Sequence, residues 1–210
     1  MLVRARVALP DAPGSLGRLA WTLGVLGADI LQVSVLETGS GRAVDELTLR
    51  LGSLTLDELR DRIQVIPGVR VLAVWRPRAV SRAADATVLG QLARHPDRGL
   101  STLVDAAPDL FAAEWAVLLG GGGPEPTAVR ASFRAPQALA VGALEPLRPR
   151  GYTLPDGTHA AMAPLAGGTV LLVARAAGPA FHRTEVDRLD QLVDAASGIL
   201  GTDRTVAAAG

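Results

Sequence analysis

The chain has 210 residues, 49% of them hydrophobic and 20% charged, which makes it globular and too apolar for disorder. Lys+Arg and Asp+Glu both number 21, so no net positive charge draws in nucleic acid or an anionic membrane. There is no cysteine, no lysine and no asparagine, which removes disulfides, thiolate metal sites, cysteine nucleophiles and Schiff-base chemistry. Asp11 and Pro13 interrupt any early apolar run, and no stretch reaches the length of a membrane span; a soluble, cytoplasmic protein is expected.

At the start of the chain, Val3, Ala5, Val7 and Leu9 alternate with Arg4 and Arg6, the period of a half-buried strand. A turn over Pro10–Gly14 leads into a helix from Ser15 to Gly27, with Leu16, Leu19, Ala20, Leu23 and Leu26 at helical spacing and Trp21 off that stripe. A second strand over Ile30–Glu37 sets Leu31, Val33 and Val35 on one side and Gln32 and Ser34 on the other. Thr38–Gly41 closes a hairpin, and Leu47, Leu49 and Leu51 alternate with Glu46, Thr48 and Arg50 on the third strand. Thr55 and Glu58 form a capping box before a helix carrying Leu56, Leu59 and Ile63. Pro67-Gly68 then turns the chain into a strand over Val69–Trp75. This order is the ferredoxin-like split unit, with both helices on one face of a four-stranded antiparallel sheet. The other face is expected to mix Arg4, Arg6, Gln32, Ser34, Thr48 and Arg50 with the apolar Leu72 and Val74.

The proline and arginines of Arg76–Arg82 mark a seam. The expected division is a domain over 1–76, a linker over 77–83, a second domain over 84–201 and a flexible tail over 202–210. Beyond the seam, 83–94 and 99–107 read as helices separated by His95–Gly99, and Trp115–Leu119 and Thr127–Arg134 as strands. Pro136, Pro146, Pro149 and Pro155 give loops and short turns over 135–157. Ala160–Leu165 and Thr169–Ala174 read as strands joined at Gly167-Gly168, and Thr184 caps a final helix through Val186, Leu189, Val193, Ala196 and Ile199.

Asp11-Ala12-Pro13-Gly14-Ser15-Leu16 after the first strand resembles the D-x-P-G-x-L signature of ACT domains, and Gly27-Ala28-Asp29-Ile30 resembles their G-x-N-I position. In that family, domains pair side by side through their sheets, and amino-acid effectors bind between the first loop of one copy and the second strand of the other. The resemblance implies a loop side of Asp11, Gly14, Ser15 and Leu16 and a strand side of Asp29 and Ile30. Gly14 lets backbone approach a ligand carboxylate, and free amides at a helix start attract an anion. The family's strand residue is often Asn; Asp29 suits an ammonium but repels a carboxylate. The other reading of these residues is a tight turn and solvated acids in a purely structural pairing module.

Ala163–Leu172, followed by Phe181 and the closing helix, resembles the end of a GAF domain, a relative of the PAS fold. That resemblance implies an antiparallel sheet with flanking helices and a ligand pocket built by the segment before the late hairpin, here short enough to reduce it. The fold class is thus α+β, an ACT-like unit followed by a GAF/PAS-like unit.

Other chemistry finds little support. Gly120–Gly123 lacks the Gly-Lys-Ser/Thr of a phosphate loop and reads as a hairpin turn. His95, His159 and His182 lack ligand spacing, Ser101, Ser132 and Ser197 lack a nucleophile elbow, and Arg76, Arg78 and Arg82 read as a solvated linker. No catalytic residue, metal or cofactor is expected. The expected function is a non-enzymatic regulatory homodimer that binds a small molecule, an amino acid by the resemblance. The alternatives are a dimerisation scaffold for a partner protein, or a sensor whose ligand sits in the GAF-like domain.

Overall fold

The computed structural model describes residues 1–77, 85–120 and 126–201. They form two compact units, Met1–Pro77 with Ala177–Pro179, and the remaining described residues. Each unit holds an antiparallel sheet, of four strands in the first and five in the second. Except for their first residues, the expected linker at 77–83 and glycine turn at 120–123 lie outside the described residues, as do Arg78, Arg82 and the expected tail at 202–210.

The first unit runs β1 (Leu2–Pro10), α1 (Ser15–Val25), β2 (Ala28–Gly39), β3 (Arg42–Leu51), α2 (Leu56–Gln64) and β4 (Arg70–Trp75), with sheet order β2-β3-β1-β4. Alternation gives β1 one apolar face, and Val3, Ala5, Val7 and Leu9 pack with Leu47, Leu49 and Leu51 of β3. Leu19 and Leu23 of α1 and Leu59 and Ile63 of α2 close this core, so both helices cover one face. Thr55 Oγ1 accepts from the Glu58 amide at 3.2 Å while Glu58 accepts from the Thr55 amide at 2.9 Å. These bonds satisfy amides at the start of α2, and the Thr55 amide and hydroxyl hold the Glu58 carboxyl below its ordinary range.

Three bulges, at Leu31 and Leu36 of β2 and at Leu72 of β4, change which residues share a face. Ile30 opposes Leu49 and Gln32 opposes Thr48, leaving Leu31 as an extra residue. Ile30, Val33 and Val35 therefore lie on the helix side, and Leu31 does not join Val33 and Val35 as the simple period predicts. On β4, Val71 opposes Val7 and Ala73 opposes Arg6, so Leu72 is the extra residue. Val74, opposite Ala5, is consequently buried in the core rather than on the polar face. An inserted residue shifts the alternation by one, which a strict period of two cannot anticipate.

The polar face of this sheet centres on Glu46. Its carboxylate accepts from Arg6 Nη2 at 2.6 Å and Arg4 Nη1 at 3.1 Å, and the Arg6 guanidinium lies 5.8 Å from the Trp75 ring centroid.

The second unit runs α3 (Asp85–Arg94), α4 (Gly99–Leu110), β5 (Trp115–Gly120), β6 (Thr127–Ala131), β7 (Arg150–Thr153), β8 (His159–Pro164), β9 (Thr169–Arg175) and α5 (Arg183–Leu200), with sheet order β6-β5-β9-β8-β7. Its central strands are buried on both faces. Ala116, Leu118, Ala161, Ala163, Leu171 and Val173 pack with Leu92, Leu103, Val104, Leu189 and Val193 of the helices. Trp115, Val117, Leu119, Met162, Val170 and Leu172 pack beneath Val141, Leu144 and Leu154. The proline-rich segment thus supplies core, and it also contains the short strand β7 between Pro149 and Pro155 where only loops were expected. Four residues flanked by prolines carry too little periodicity to register as a strand.

The cap of α5 is His182 rather than Thr184. His182 Nδ1 accepts from the Thr184 amide at 3.4 Å, and Glu185 accepts from the His182 amide at 2.8 Å. Glu185 also takes two bonds from Arg175, each 3.0 Å, while the Phe181 ring lies 3.9 Å from the guanidinium carbon. Arg175 is 1% exposed, so this ion pair fastens β9 to the start of α5 from within the core.

Candidate functional site

The Asp11–Leu16 loop begins where β1 ends. The Asp11 amide donates to the Gly41 carbonyl at 3.0 Å, which pins the loop beside the β2–β3 turn. Gly14 then adopts φ +83° as the N-cap of α1, a conformation that favours glycine. No side chain caps that helix and no acid stands in its first turn. Ser15 is buried, Asp11 is exposed, and Leu16 is exposed at the edge of the loop.

Asp29 and Ile30 start β2, at the other end of α1. The 11 residues of α1 span roughly 16 Å, so within one chain the loop and the strand residues are not brought together. Asp29 opposes Arg50 and pairs with it at 3.4 Å, both side chains being exposed on the face away from the helices. Ile30 instead faces the core side and packs against it.

A further acid stands on the loop's side of the sheet. Asp45 of β3 opposes Val7 and Val35, on the helix face, and is 3% exposed. Its Oδ1 has no hydrogen-bond partner. Burial, and then the nearby Asp11 carboxylate, push its carboxyl above the ordinary range. The alternation Leu51, Leu49, Leu47 places Asp45 on the apolar face when followed one step further back, and that was the signal available in the sequence.

A groove of about 680 Å³ lies between the first half of α1 and the end of α2. Gly14, Gly17, Trp21, Val65, Ile66 and Pro67 line it, with Arg18 and Arg62 at its margins. Trp21 is 71% exposed and Val65 76%. Gly17 sits inside the helix, where glycine costs roughly 0.5–1 kcal/mol relative to alanine, and a Cβ there would meet nothing within 4 Å.

The second unit holds a cleft of different character. It measures about 340 Å³ and is lined by Asp105, Asp109, Glu114, Ser132 and Arg134, with Phe133 almost wholly exposed at its margin. Ser132 Oγ accepts from the Ala116 amide at 2.9 Å. In the segment before the late hairpin, expected to build a reduced ligand pocket, Val141, Leu144 and Leu154 are buried against the strands of the five-stranded sheet. Tyr152 packs beside them with its hydroxyl unpartnered, and burial pushes that phenol up to about 12.

No family model matches the chain, and no curated protein matches it. Among solved structures it is similar to a formyltetrahydrofolate deformylase from Pseudomonas putida KT2440 at 15% identity and a TM-score of 0.31, over 47% of this chain and 39% of that one. The deformylase from Burkholderia mallei ATCC 23344 gives 17% identity and a TM-score of 0.32, over 47% and 38%. The chain thus spans about two fifths of the length of these deformylases. An unknown protein from Galdieria sulphuraria matches over 96% of this chain and 94% of its own, at 14% identity and a TM-score of 0.35. Among the described residues no helix is long and apolar enough to cross a membrane.

Proposed function

We propose that this protein is a non-enzymatic, cytoplasmic regulatory module that binds a small metabolite, an amino acid in the ACT manner, between two copies of its first unit. One observation carries the reading: the Asp11–Gly41 hydrogen bond sets the ligand loop at the C-terminal end of an open edge strand. Among the described residues no strand pairs with the outer edge of β2, which is 12 residues long and exposes Leu31, Val33 and Val35. Such an edge is a template for another strand. Antiparallel pairing of two β2 strands brings the start of one beside the end of the other. The partner's Asp29 and the partner's Ile30 then approach this copy's Asp11, Gly14, Ser15 and Leu16.

Within that pocket, the amides at the start of α1 beyond Ser15, whose own amide donates to the Ala12 carbonyl at 3.2 Å, suit the ligand carboxylate, since no side chain caps them. Asp45 lies on the same side of the sheet beside Asp11, and a ligand ammonium there stabilises its charged form, which burial and Asp11 disfavour in the free protein, while Asp29 is engaged with Arg50. The second unit, GAF-like in its helices and sheet, acts as the reporting partner of this switch; its filled sheet face supports that role over ligand binding there. Ligand at the paired edge stabilises one arrangement of the copies, and the population shifts toward it.

The test combines a thermal-shift panel of amino acids with sedimentation. A binder at 100 times its dissociation constant adds about 2.7 kcal/mol of stability. Asp45→Asn should lose that shift and remain a dimer, and Val35→Lys should give monomers. A monomeric wild type sinks the reading. A dimer indifferent to the whole panel leaves the scaffold alternative in its place.

A further inference from the structure

We propose a second ligand site, on the helical side of the first unit: the α1–α2 groove binds an apolar carboxylate, a hydrocarbon or aromatic body carrying one negative charge. It shares Gly14 with the loop of the proposed pairing site, but its other lining residues stand on α1 and at or beyond the end of α2, on the helical side of the sheet.

The argument starts from volume and lining. The groove is open to solvent, and its volume of about 680 Å³ has room for a small molecule, whose sites are mostly apolar with a few polar groups that orient the ligand. The lining is Trp21, Val65, Ile66 and Pro67 over a floor opened by Gly17. A side chain at Gly17 would occupy that space, and nothing in the protein does so. Trp21 presents a large aromatic face to it.

Charge then selects the ligand. The titratable groups lining the groove are both cationic, Arg18 and Arg62, and no acid lines it. Neither arginine lies within 4.0 Å of an acid oxygen among the described residues, although the Arg62 charge does act on Glu58. Arg18 reaches Ser15 Oγ at 3.4 Å, and Glu58, one turn before Arg62, is held by Thr55 at its cap. A guanidinium at the margin of an apolar hollow matches a carboxylate whose apolar body fills the hollow.

Trp21 is also the reporter. Trp75 and Trp115 are each 7% exposed against 71% for Trp21, so binding in the groove moves the emission of one indole. Full-length protein is titrated with octanoate, 1-octanol and octylamine, and followed by tryptophan emission and calorimetry. Octanoate should give a saturable blue shift, with octanol weaker by about tenfold, the worth of a charge-assisted hydrogen bond, and octylamine silent. Arg62→Gln should bring octanoate to the level of octanol. Gly17→Leu should abolish binding while its thermal unfolding stays cooperative, and Asp45→Asn should bind octanoate normally, which separates this site from the one at the strand edge. Equal affinity for all three probes, no saturation at millimolar octanoate, or undiminished binding by Gly17→Leu overturns the proposal. So does Trp21 emission that is already blue-shifted and moves red on dilution, because a second copy would then occupy the groove.

Discussion

The two sheets differ in what lies on their second faces. In the second unit, Trp115–Leu119 and Val170–Ala174 are buried on both sides, so β5 and β9 read as unbroken apolar runs. In the first unit, β1 and β3 alternate, with a leucine-rich face under the helices and a face carrying Arg4, Arg6, Glu46 and Thr48. Both units nevertheless bury an arginine–glutamate pair. Arg6–Glu46 joins neighbouring strands on the polar face, whereas Arg175–Glu185 joins a strand to a helix start within the core. A sheet covered twice has its surfaces committed to stability. The first unit's sheet has polar residues on its second face and a 12-residue edge strand whose outer side no described strand pairs.

The largest break in this comparison comes from Glu185→Ala. It leaves Arg175 buried without its carboxylate and should cost about 3–5 kcal/mol in urea unfolding. A loss near zero would mean that the pair does not fasten β9 to α5. Next, Leu144→Ala asks whether the proline-rich segment is truly core; with 6% exposure it should cost about 2–5 kcal/mol, whereas a surface loop would lose almost nothing. Thr55→Ala removes the cap of α2 and should cost about 1 kcal/mol, read as a lower melting temperature.

The smaller effects probe the unpartnered polar groups. Because its carboxyl is raised on folding, Asp45 destabilises the fold as pH rises from about 4, its unfolded value, through the folded one, and acidification relieves this. Asp45→Asn should flatten that part of the stability profile. An unchanged profile would show that Asp45 is solvated and would weaken its place in the ligand site. Tyr152→Phe deletes a hydroxyl that bonds to nothing, so stability should stay level or rise slightly; a clear loss would reveal a hidden partner.

Much of the first unit was legible from residue pattern. Val3, Ala5, Val7 and Leu9, the Thr55–Glu58 box and the glycine at position 14 each act through neighbours close in sequence, and each adopts the predicted local structure. The faces of β2 and β4 were not legible, because single inserted residues, Leu31 and Leu36 on β2 and Leu72 on β4, reset the alternation. The sequence points to Thr184 rather than His182 as the cap because threonine is the commoner capping residue. At the candidate site, Asp11, Gly14 and Ser15 were marked by one contiguous motif. Asp45 was marked only by its phase on β3, and the groove only by a glycine inside a helix.

The sequence by itself determined the apolar periods, the turns and the caps, since these depend on residues a few positions apart. Tertiary structure alone decided that Asp45 is buried without a partner, that Asp29 turns toward Arg50, and that Gly17 and Trp21 of α1 share a hollow with Val65 near the end of α2. Those outcomes depend on which strands and helices lie side by side. Packing between distant segments settles that, and no local pattern encodes it.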